Sequence, residues 1–280
     1  MNSVEIKNIS KSYSKFSMKD VSFYVPDGCV VGLIGQNGAG KSTLIKMLLG
    51  AVSPDSGEIS VFGEKMSEHA LHLKDDIGVV LDEPFFPSNF NIKEINRVMS
   101  GIYTKWDEST FYAYAKQFNL PFDKKYGRFS RGMKMKLSIA SALSHSARLL
   151  VLDEPTGGLD PIVRDEILDV FNDFTMDGSH SILISSHIVS DLEKICDYIA
   201  FIHGGSLVFF EAKDVLEEKY AVASVSLENL TAIPEEAILG VQKNAYGAKV
   251  LVQKNAVNQC VPLSKAGIED IILFMVRGDK

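Results

Sequence analysis

The sequence is poor in cysteine. Its 280 residues contain three cysteines, Cys29, Cys196 and Cys260, and these lie far apart along the chain. Three distant cysteines give neither the paired framework of a disulfide-rich protein nor the close spacing of a zinc site. This excludes the small secreted scaffolds that disulfides stabilise, and we expect a protein of the reducing cytoplasm.

Long apolar runs are also missing. No run approaches the roughly 20 apolar residues that a membrane-spanning helix needs. The first seven residues, Met-Asn-Ser-Val-Glu-Ile-Lys, lack the apolar region of a secretory signal. We therefore expect any membrane role to depend on a partner protein.

Positive charge is in deficit. The chain has 29 Lys and Arg residues against 36 Asp and Glu residues, which gives a formal net charge of −7. A general nucleic-acid-binding protein carries the opposite balance. Hydrophobic residues make up 46% and charged residues 23% of the chain, as in ordinary globular proteins, so a disordered, collagen-like or coiled-coil chain is excluded.

Apolar segments alternate with helical patterns over most of the chain. Strands are predicted at residues 4–9, 21–25, 29–34, 77–81, 149–152 and 181–185, and helices at residues 42–49, 92–119 and 133–144. The strand at residues 29–34 is apolar throughout, which is typical of a strand buried on both faces of a parallel sheet. Strands that alternate with helices predict an α/β fold with a largely parallel core sheet.

The pattern changes near residues 208–214. Two short β-like segments follow, and the last apolar residues have helical spacing. These features are residues 224–227, residues 249–252, and Ile268, Ile271, Ile272 and Met275. We expect a main domain at residues 1–212 and a small C-terminal α+β annex at residues 213–280.

A glycine-rich segment follows the strand at residues 29–34. It matches the phosphate-loop pattern G-x-x-x-x-G-K-[ST] with Gly35, Gln36, Asn37, Gly38, Ala39, Gly40, Lys41 and Ser42. Glycines let consecutive backbone N–H groups turn towards a phosphate chain, and the following helix adds its positive end. In this pattern Lys41 contacts the β- and γ-phosphates and Ser42 binds Mg²⁺. The alternative is a glycine-rich turn with an incidental lysine, which the flanking strand and helix disfavour.

Two carboxylates end a second buried strand. Residues 149–154 are Leu-Leu-Val-Leu-Asp-Glu. The carboxyl edge of a parallel sheet is where ligands bind, so Asp153 would hold Mg²⁺ through its water shell. Glu154 would polarise the attacking water in phosphoryl transfer. The alternative is a surface acidic pair that begins a loop, and the presence of a phosphate loop in the same chain argues against it.

Residues 129–140, Phe-Ser-Arg-Gly-Met-Lys-Met-Lys-Leu-Ser-Ile-Ala, resemble the signature motif of ATP-binding cassette (ABC) ATPases, usually written L-S-G-G-Q. The family's other motifs occur around it in order. They are Tyr13 at the position of the adenine-stacking aromatic, the phosphate loop, Asp153-Glu154-Pro155, Gly158-Leu159-Asp160-Pro161, and the switch histidine His187. The resemblance covers about residues 2–212. The signature and the Gly-Leu-Asp-Pro segment separate this family from kinases and GTPases.

The resemblance implies ATP and Mg²⁺ as ligands, and a P-loop ATPase core with an antiparallel β subdomain and a helical subdomain. Tyr13 would stack on the adenine. The phosphates and Mg²⁺ would be engaged by Lys41, Ser42 and Thr43. His187 would contact the γ-phosphate and hold Glu154 and the attacking water in line.

The resemblance also implies a second nucleotide-binding subunit. Two such domains would meet head to tail with ATP between them, in a homodimer or a heterodimer. Ser130 and Gly132 would then present a helix N-terminus to the γ-phosphate held by the opposite subunit. Because a positive helix end is useful only while that phosphate is present, ATP would hold the dimer together and hydrolysis would loosen it.

The sequence departs from the family pattern at two places. Arg131 and Met133 replace a glycine and the glutamine of the signature. Asp82 stands where the family normally carries the glutamine of the Q-loop, although a shift of register would place Glu83 there instead. A carboxylate is a harder Mg²⁺ ligand than an amide, so Asp82 is a third candidate metal ligand beside Ser42 and Asp153.

An aromatic group follows Asp82, namely Phe85, Phe86 and Phe90. Core packing is the default interpretation of such a group. The alternative is that it forms part of a groove for a helix of a membrane partner.

These observations predict the ATP-hydrolysing subunit of an ABC transporter that works with separate membrane-spanning permease subunits. Among known types it looks most like exporters of drugs, peptides or lipids, and it would lie on the inner face of the cell membrane. No nucleic-acid partner is expected, given the net charge of −7.

Two other functions compete with this one: a soluble ABC ATPase that acts on ribosomes or DNA, and a binding module without catalysis. A soluble ABC ATPase acting on ribosomes normally carries two cassettes, whereas this chain has one phosphate loop. A DNA-repair type inserts a long coiled coil, and the roughly 110 residues between Lys41 and Asp153 leave no room for it. A binding module without catalysis would require the loss of Lys41 or Glu154, and both are present.

Overall fold

The computed structural model describes residues 1–83, 86–244, 247–257 and 261–277. The strands in these ranges form three sheets. The first sheet is antiparallel, in the order β2-β1-β4-β5. Its strands are β1 (Asn2–Tyr13), β2 (Phe16–Pro26), β4 (Ser56–Val61) and β5 (Glu64–Lys65).

The second sheet forms the centre of the main domain. Its strands are β3 (Val30–Ile34), β6 (Ile77–Val80), β7 (Leu149–Asp153), β8 (Ser181–Ser186), β9 (Tyr198–His203) and β10 (Ser206–Ala212). The order is β10-β9-β3-β8-β7-β6, and β10 alone pairs antiparallel, with β9. Every residue of β3, β7 and β8 is buried, as expected for parallel strands covered on both faces. The predicted α/β fold with a largely parallel core sheet is confirmed.

Seven α-helices in the described part of the main domain lie around these sheets. They are α1 (Lys41–Leu48), α2 (Leu71–Lys74), α3 (Ile92–Ser100), α4 (Glu108–Gln117), α5 (Arg131–Ala142), α6 (Pro161–Thr175) and α7 (Val189–Ile195). Helix α1 packs with the antiparallel sheet in one hydrophobic cluster, while α3 to α7 contribute to the larger cluster on the other side of the central sheet. No helix in the described ranges is both long and apolar enough to cross a membrane.

The single helix predicted at residues 92–119 is wrong, because two helices with separate caps occupy this segment. Helix α3 begins with a capping box between Asn91 and Glu94 and ends at Gly101. Helix α4 begins afresh at Asp107, whose carboxylate accepts the N–H groups of Ser109 and Thr110. The hydroxyl groups of Ser109 and Thr110 also donate to this carboxylate, and these side-chain hydrogen bonds, followed by those from the backbone, lower the pKa of Asp107 to about 2. A strong N-cap inside an apolar pattern therefore divides it into two helices.

The C-terminal annex contains the third sheet. Its elements are α8 (Lys213–Lys219), β11 (Tyr220–Val225), β12 (Ile238–Asn244), β13 (Gly247–Gln253), β14 (Leu263–Lys265) and α9 (Ile268–Arg277), and the antiparallel strands have the order β12-β13-β11-β14. The strand predicted at residues 224–227 is displaced, because β11 starts at Tyr220. Its alanines, Ala221 and Ala223, are buried in the annex although alanine is not a typical strand residue, so packing overrides propensity there.

The annex shares a hydrophobic core with the main domain. One face of its sheet has its own small cluster, which includes Ala221, Val250 and Val252. Ile271 and Phe274 of α9, by contrast, belong to the same buried cluster as the central sheet. The domain boundary predicted at residue 212 falls between β10 and α8 and stays a prediction, since the packing is continuous across it.

Candidate nucleotide-binding and catalytic site

The predicted site residues converge on the carboxyl edge of the central sheet. In the parallel register Ile34 of β3 lies beside Ser186 of β8, and Asp153 of β7 lies beside Ser185. The phosphate loop, the acidic pair and His187 therefore leave the sheet side by side. Residues far apart in the chain are brought to one cleft because parallel strands end at the same edge.

The phosphate loop has the backbone that its glycines permit. Gly38 and Gly40 have φ values of 84° and 111°, in the left-handed region that favours glycine. A Cβ atom on Gly40 would also lie 2.6 Å from the ring of Phe16. Helix α1 starts directly after this turn with no side-chain cap, so its first N–H groups remain available to an anion.

A cleft of about 380 Å³ lies in front of this loop. It is lined by Tyr13, Phe16, Gln36, Asn37, Gly38, Gly40, Lys41, Ser42, Thr43, Asp82 and Glu154. Gly35 and Ala39, also predicted, are buried behind it and shape the loop. A Cβ atom on Gly35 would lie 2.6 Å from the carbonyl oxygen of Ile202.

Lys41 carries a positive charge into the floor of the cleft. Its side chain is only 6% exposed, and its Nζ donates a hydrogen bond of 2.7 Å to the carbonyl of Gly35. The same Nζ lies 3.2 Å from Oε1 of Glu154. A buried ammonium needs such partners, because desolvation of an unpaired charge is costly.

Glu154 is held between Lys41 and His187. Nδ1 of His187 lies 2.6 Å from Oε2 of Glu154, and the backbone N–H of His187 donates to the same oxygen at 3.3 Å. Because an ionised carboxylate only accepts, the proton of the imidazole then resides on Nδ1. Glu154 also has a left-handed backbone with φ of 51°, a conformation that is uncommon for a residue with a side chain and occurs at functional sites.

One carboxylate oxygen at this centre lacks a hydrogen bond. Oε1 of Glu154 is buried and has no hydrogen-bond partner, although the charge of Lys41 is near. A buried acceptor that receives no hydrogen bond destabilises the folded protein unless a water or ligand supplies a donor. The atom is therefore suited to receive a proton or hydrogen bond from a molecule that enters the cleft.

Asp153 and Ser42 are predicted to hold Mg²⁺, and Ser42, unlike Asp153, is among the residues that line the described cleft. Asp153 is buried, and its Oδ1 accepts a hydrogen bond of 2.6 Å from Ser185 Oγ, which orients the carboxylate. Ser42 lies exposed at the start of α1. The described residues contain no group of three or more His, Cys, Asp or Glu side chains that could hold a metal by itself.

Asp82 lies at the rim of the same cleft, and it already has a partner. Its Oδ1 lies 2.7 Å from Nη2 of Arg131, and both side chains are about half exposed. Glu83, the alternative at this position, is exposed outside the cleft. The structure thus brings Asp82 to the nucleotide cleft, where Arg131 is its partner.

The signature segment begins a helix, as the pattern implies. Ser130 is the N-cap of α5, and its Oγ accepts the N–H of Met133 at 3.2 Å, so the helix starts two residues before the predicted residue 133. Ser130 and Gly132 do not line the cleft of their own chain. Gly132 approaches Leu159, and Arg131, between the two residues, reaches Asp82 at the rim of the cleft.

Two cleft residues were not found from the sequence. Phe16 faces the phosphate loop because it pairs with Tyr13 across the β1–β2 hairpin. Gln36 lines the cleft as a variable position of the loop pattern. The proximity of Phe16 to Tyr13 at a hairpin turn was the available signal.

The aromatic group after Asp82 is partly described. Phe86 and Phe90 pack against the main hydrophobic cluster, and Phe86 meets Tyr126 edge to face with ring centroids 5.6 Å apart. Phe85 lies outside the described residues. Core packing thus accounts for Phe86 and Phe90.

A phosphate loop with a buried lysine, two carboxylates at the end of a neighbouring strand, and a histidine bound to one of them define a P-loop nucleotide hydrolase. The comparisons with known proteins narrow this class. Residues 18–157 match the family model described as ABC transporter.

Relatives and a solved structure agree. The chain is 38% identical over 223 residues to the lantibiotic transport ATP-binding protein SrtF of Streptococcus pyogenes, covering 78% of this chain and 95% of SrtF. It is 36% identical over 211 residues to the bacitracin transport ATP-binding protein BcrA of Bacillus licheniformis, covering 73% of this chain and 68% of BcrA. A solved ATP-binding subunit of an ABC transporter superposes with a TM-score of 0.69 at 29% identity, covering 76% of this chain and 91% of that one.

The chain therefore belongs to the ABC transporter family, as an ATP-binding and ATP-hydrolysing subunit. The predicted resemblance, the ABC cassette fold and the enzyme class are confirmed. The roles of the individual site residues stay predictions.

Proposed function

We propose that this chain is the ATPase subunit of an exporter of peptide antibiotics, and that separate membrane-spanning permease subunits form the path for the substrate. Support for the substrate class comes from relatives named for transport of a lantibiotic and of bacitracin. The chain would sit on the inner face of the membrane, bound to those permease subunits.

The observation that carries the catalytic part of this proposal is the buried Oε1 of Glu154, which accepts no hydrogen bond and has only the charge of Lys41 near it. A water in front of the γ-phosphate donates its hydrogen bond to this oxygen, which accepts the proton as the water attacks. His187 holds the other oxygen through Nδ1, so the carboxylate cannot rotate away from the water. The remaining nitrogen of His187, Nε2, contacts a γ-phosphate oxygen only as a donor, because that oxygen accepts, so this contact requires a proton on both ring nitrogens.

Lys41 links nucleotide binding to this step. Without nucleotide its Nζ is shared between the carbonyl of Gly35 and Oε1 of Glu154. Entering β- and γ-phosphates attract the same ammonium more strongly, because they carry more negative charge than one carboxylate. The charge that faces Oε1 is then directed to the phosphates, and Oε1 becomes available to the water.

The residues present also fit Mg²⁺. Ser42 would bind it directly, and Asp153, oriented by Ser185, would bind its water shell. When bound, the ion supplies neutralisation of the charge that develops on the β- and γ-phosphate oxygens. We propose Asp82 as a third ligand, which would bind Mg²⁺ in competition with Arg131.

A head-to-tail dimer would complete the site. Ser130 and Gly132 lie at the N-terminus of α5 but outside the cleft of their own chain. A second nucleotide-binding subunit would bring its copy of this helix end to the γ-phosphate. The bound phosphate would hold the two subunits together, and hydrolysis would weaken that contact.

Glu154→Gln tests the catalytic assignment. The amide keeps the shape of the side chain but cannot accept the proton, so steady-state ATP hydrolysis should fall by about 10²- to 10³-fold while ATP binding persists. With Mg²⁺ and ATP the variant should elute as a dimer in size-exclusion chromatography. Glu83→Gln, an exposed neighbour of the cleft, is the matched control and should hydrolyse ATP at the wild-type rate. A wild-type rate in Glu154→Gln would show that another group polarises the water.

Antibiotic susceptibility tests the proposed substrate class. In the organism that encodes the chain, deletion should lower the inhibitory concentration of bacitracin or a lantibiotic, and wild type but not Glu154→Gln should restore it. Small non-peptide drugs serve as the control panel. Unchanged sensitivity to the peptides, with a change for the small drugs, would contradict a peptide exporter.

A further inference from the structure

The C-terminal helix α9 reaches the catalytic edge of the ATPase domain. A cavity of about 200 Å³ separates the two, and it is lined on one side by Gln36 and His187. The opposite wall belongs to α9 and is formed by Glu269, Ile272, Leu273 and Val276. The annex thus provides one wall of the space beside the switch histidine.

A hydrogen bond ties α9 to the segment that follows His187. Helix α7 starts at Val189, two residues after the histidine. Glu193 of α7 accepts the N–H of Ile268, the first residue of α9, at 2.8 Å. The carbonyl of Glu193 accepts from Lys213 Nζ at 3.0 Å, which joins α7 to the start of the annex as well.

Apolar packing continues this connection. Ile271 and Phe274 of α9 and Leu192 of α7 are fully or almost fully buried in one cluster, and Val189 packs against the same cluster. Because close-packed interiors transmit displacement, a shift of α9 would move α7 and the residues just before it. The side chain of His187 is half exposed. Its contact with Glu154 holds the imidazole within the ATPase domain.

We propose that α9 is a positioning element for His187: Glu193 and Ile272 hold the switch segment so that the imidazole stays on Glu154, and the annex in this way sets the rate of ATP hydrolysis without contacting nucleotide. The proposal rests on the catalytic role proposed for His187. It gives the annex a function in the ATPase cycle in addition to any role in assembly.

A bulky substitution in the wall of the cavity is the direct test. Ile272→Trp should fill the space beside His187 and reduce kcat by about tenfold, while KM for ATP and the affinity for a fluorescent ATP analogue stay unchanged. Met275→Ala, also on α9 and packed on the main cluster but outside the cavity, is the control for a loss of packing. It should lower thermal stability without lowering kcat.

A double-mutant cycle separates positioning from a general structural effect. In the His187→Ala background, Ile272→Trp should cause no further loss of kcat, because the group that it displaces is gone. Glu193→Ala should lower kcat about threefold, and Glu193→Gln should restore it, since the amide oxygen still accepts the N–H of Ile268. A loss that persists unchanged in the His187→Ala background would overturn the proposal.

A measurement on the nucleotide-free protein keeps this inference distinct from the proposed function. The side-chain ¹⁵N resonance of His187, assigned by its absence in His187→Ala, should shift in Ile272→Trp and not in Met275→Ala. An unchanged resonance in Ile272→Trp would overturn the positioning role even if Glu154 and His187 prove essential. Failure of the catalytic role proposed for His187 would appear separately, as unimpaired hydrolysis by His187→Ala.

Discussion

Asp82 and Arg131 form an ion pair of 2.7 Å, and each occupies a position at which the sequence departs from its family pattern. The guanidinium also lies over a glycine turn, since a Cβ atom on Gly158 would come 3.5 Å from its central carbon. Gly158 has a φ of 69°, so the turn depends on glycine. Arg131 thus supplies the counter-charge for Asp82. The pair joins the end of β6 to α5 and to the loop before α6.

This pairing predicts a competition between Arg131 and Mg²⁺ for Asp82. Arg131→Ala should lower the Mg²⁺ concentration for half-maximal ATP hydrolysis, and Asp82→Gln and Asp82→Ala should raise it. Exposed ion pairs contribute about 0–1 kcal/mol, so shifts of up to about fivefold are expected. A Mg²⁺ titration of the ATPase rate is the measurement. Superimposable curves for wild type and all three variants would leave Asp82 without a role in metal binding.

Lys41→Ala should remove most of the affinity for nucleotide. The described cleft has no other lysine or arginine among its lining residues, so the β- and γ-phosphates lose their charged donor. Loss of a charge-assisted contact predicts binding weaker by about 10- to 100-fold, measured with a fluorescent ATP analogue. Lys46→Ala, an exposed lysine on the same helix, is the control and should bind normally. Equal affinities would mean that the loop has only a structural role.

The phosphate loop, the acidic strand end and the parallel core were predictable because their signals are local. Glycines at fixed spacing, an apolar strand before them and a helix after them need no knowledge of distant residues. A local signal also marks the start of α6, a helix that was not predicted. Asp160 is its N-cap and Pro161 is its first residue. The segment was recognised as a family motif but not as a helix start.

Contacts between distant residues were not predictable. Asp82 and Arg131 are 49 positions apart, and nothing in either segment indicates that they meet. The approach of α9 to His187 depends on how the annex folds back across α7. Such pairs follow from strand order and helix packing, which one sequence does not specify.

Gly32→Ala should destabilise the ATPase domain. Gly32 lies in β3, and a Cβ atom there would be 2.8 Å from Sγ of Cys196 and 3.3 Å from the side chain of Leu192. Overpacking of this kind costs about 1–3 kcal/mol of unfolding free energy, measured by urea denaturation. Gly101→Ala is the control, because its φ of −88° is helical and the nearest atom to the new Cβ is 3.4 Å away. A stability equal to wild type for Gly32→Ala would show that α7 can move away from β3 at little cost.

His145 predicts how stability depends on pH. The imidazole is fully buried after α5, stacks on Tyr103 with ring centroids 3.8 Å apart, and has the carbonyls of Ser141 and Ile77 at 3.3 and 3.2 Å from its two nitrogens. A neutral imidazole has one N–H group, so it can donate to only one of these carbonyls. Burial lowers the pKa of His145 below its ordinary value, and the two carbonyls only partly oppose this effect.

The lowered pKa of His145 determines whether stability rises or falls with pH. Because the folded pKa lies below the unfolded value of about 6.5, the unfolded chain binds the proton first, and stability falls as pH decreases below that value. Unfolding free energies of wild type and His145→Gln, measured in urea between pH 7.5 and 5.5, should converge as the pH falls, since the glutamine does not titrate. A constant difference between wild type and His145→Gln would mean that the buried imidazole takes up its proton as readily as it does in the unfolded chain.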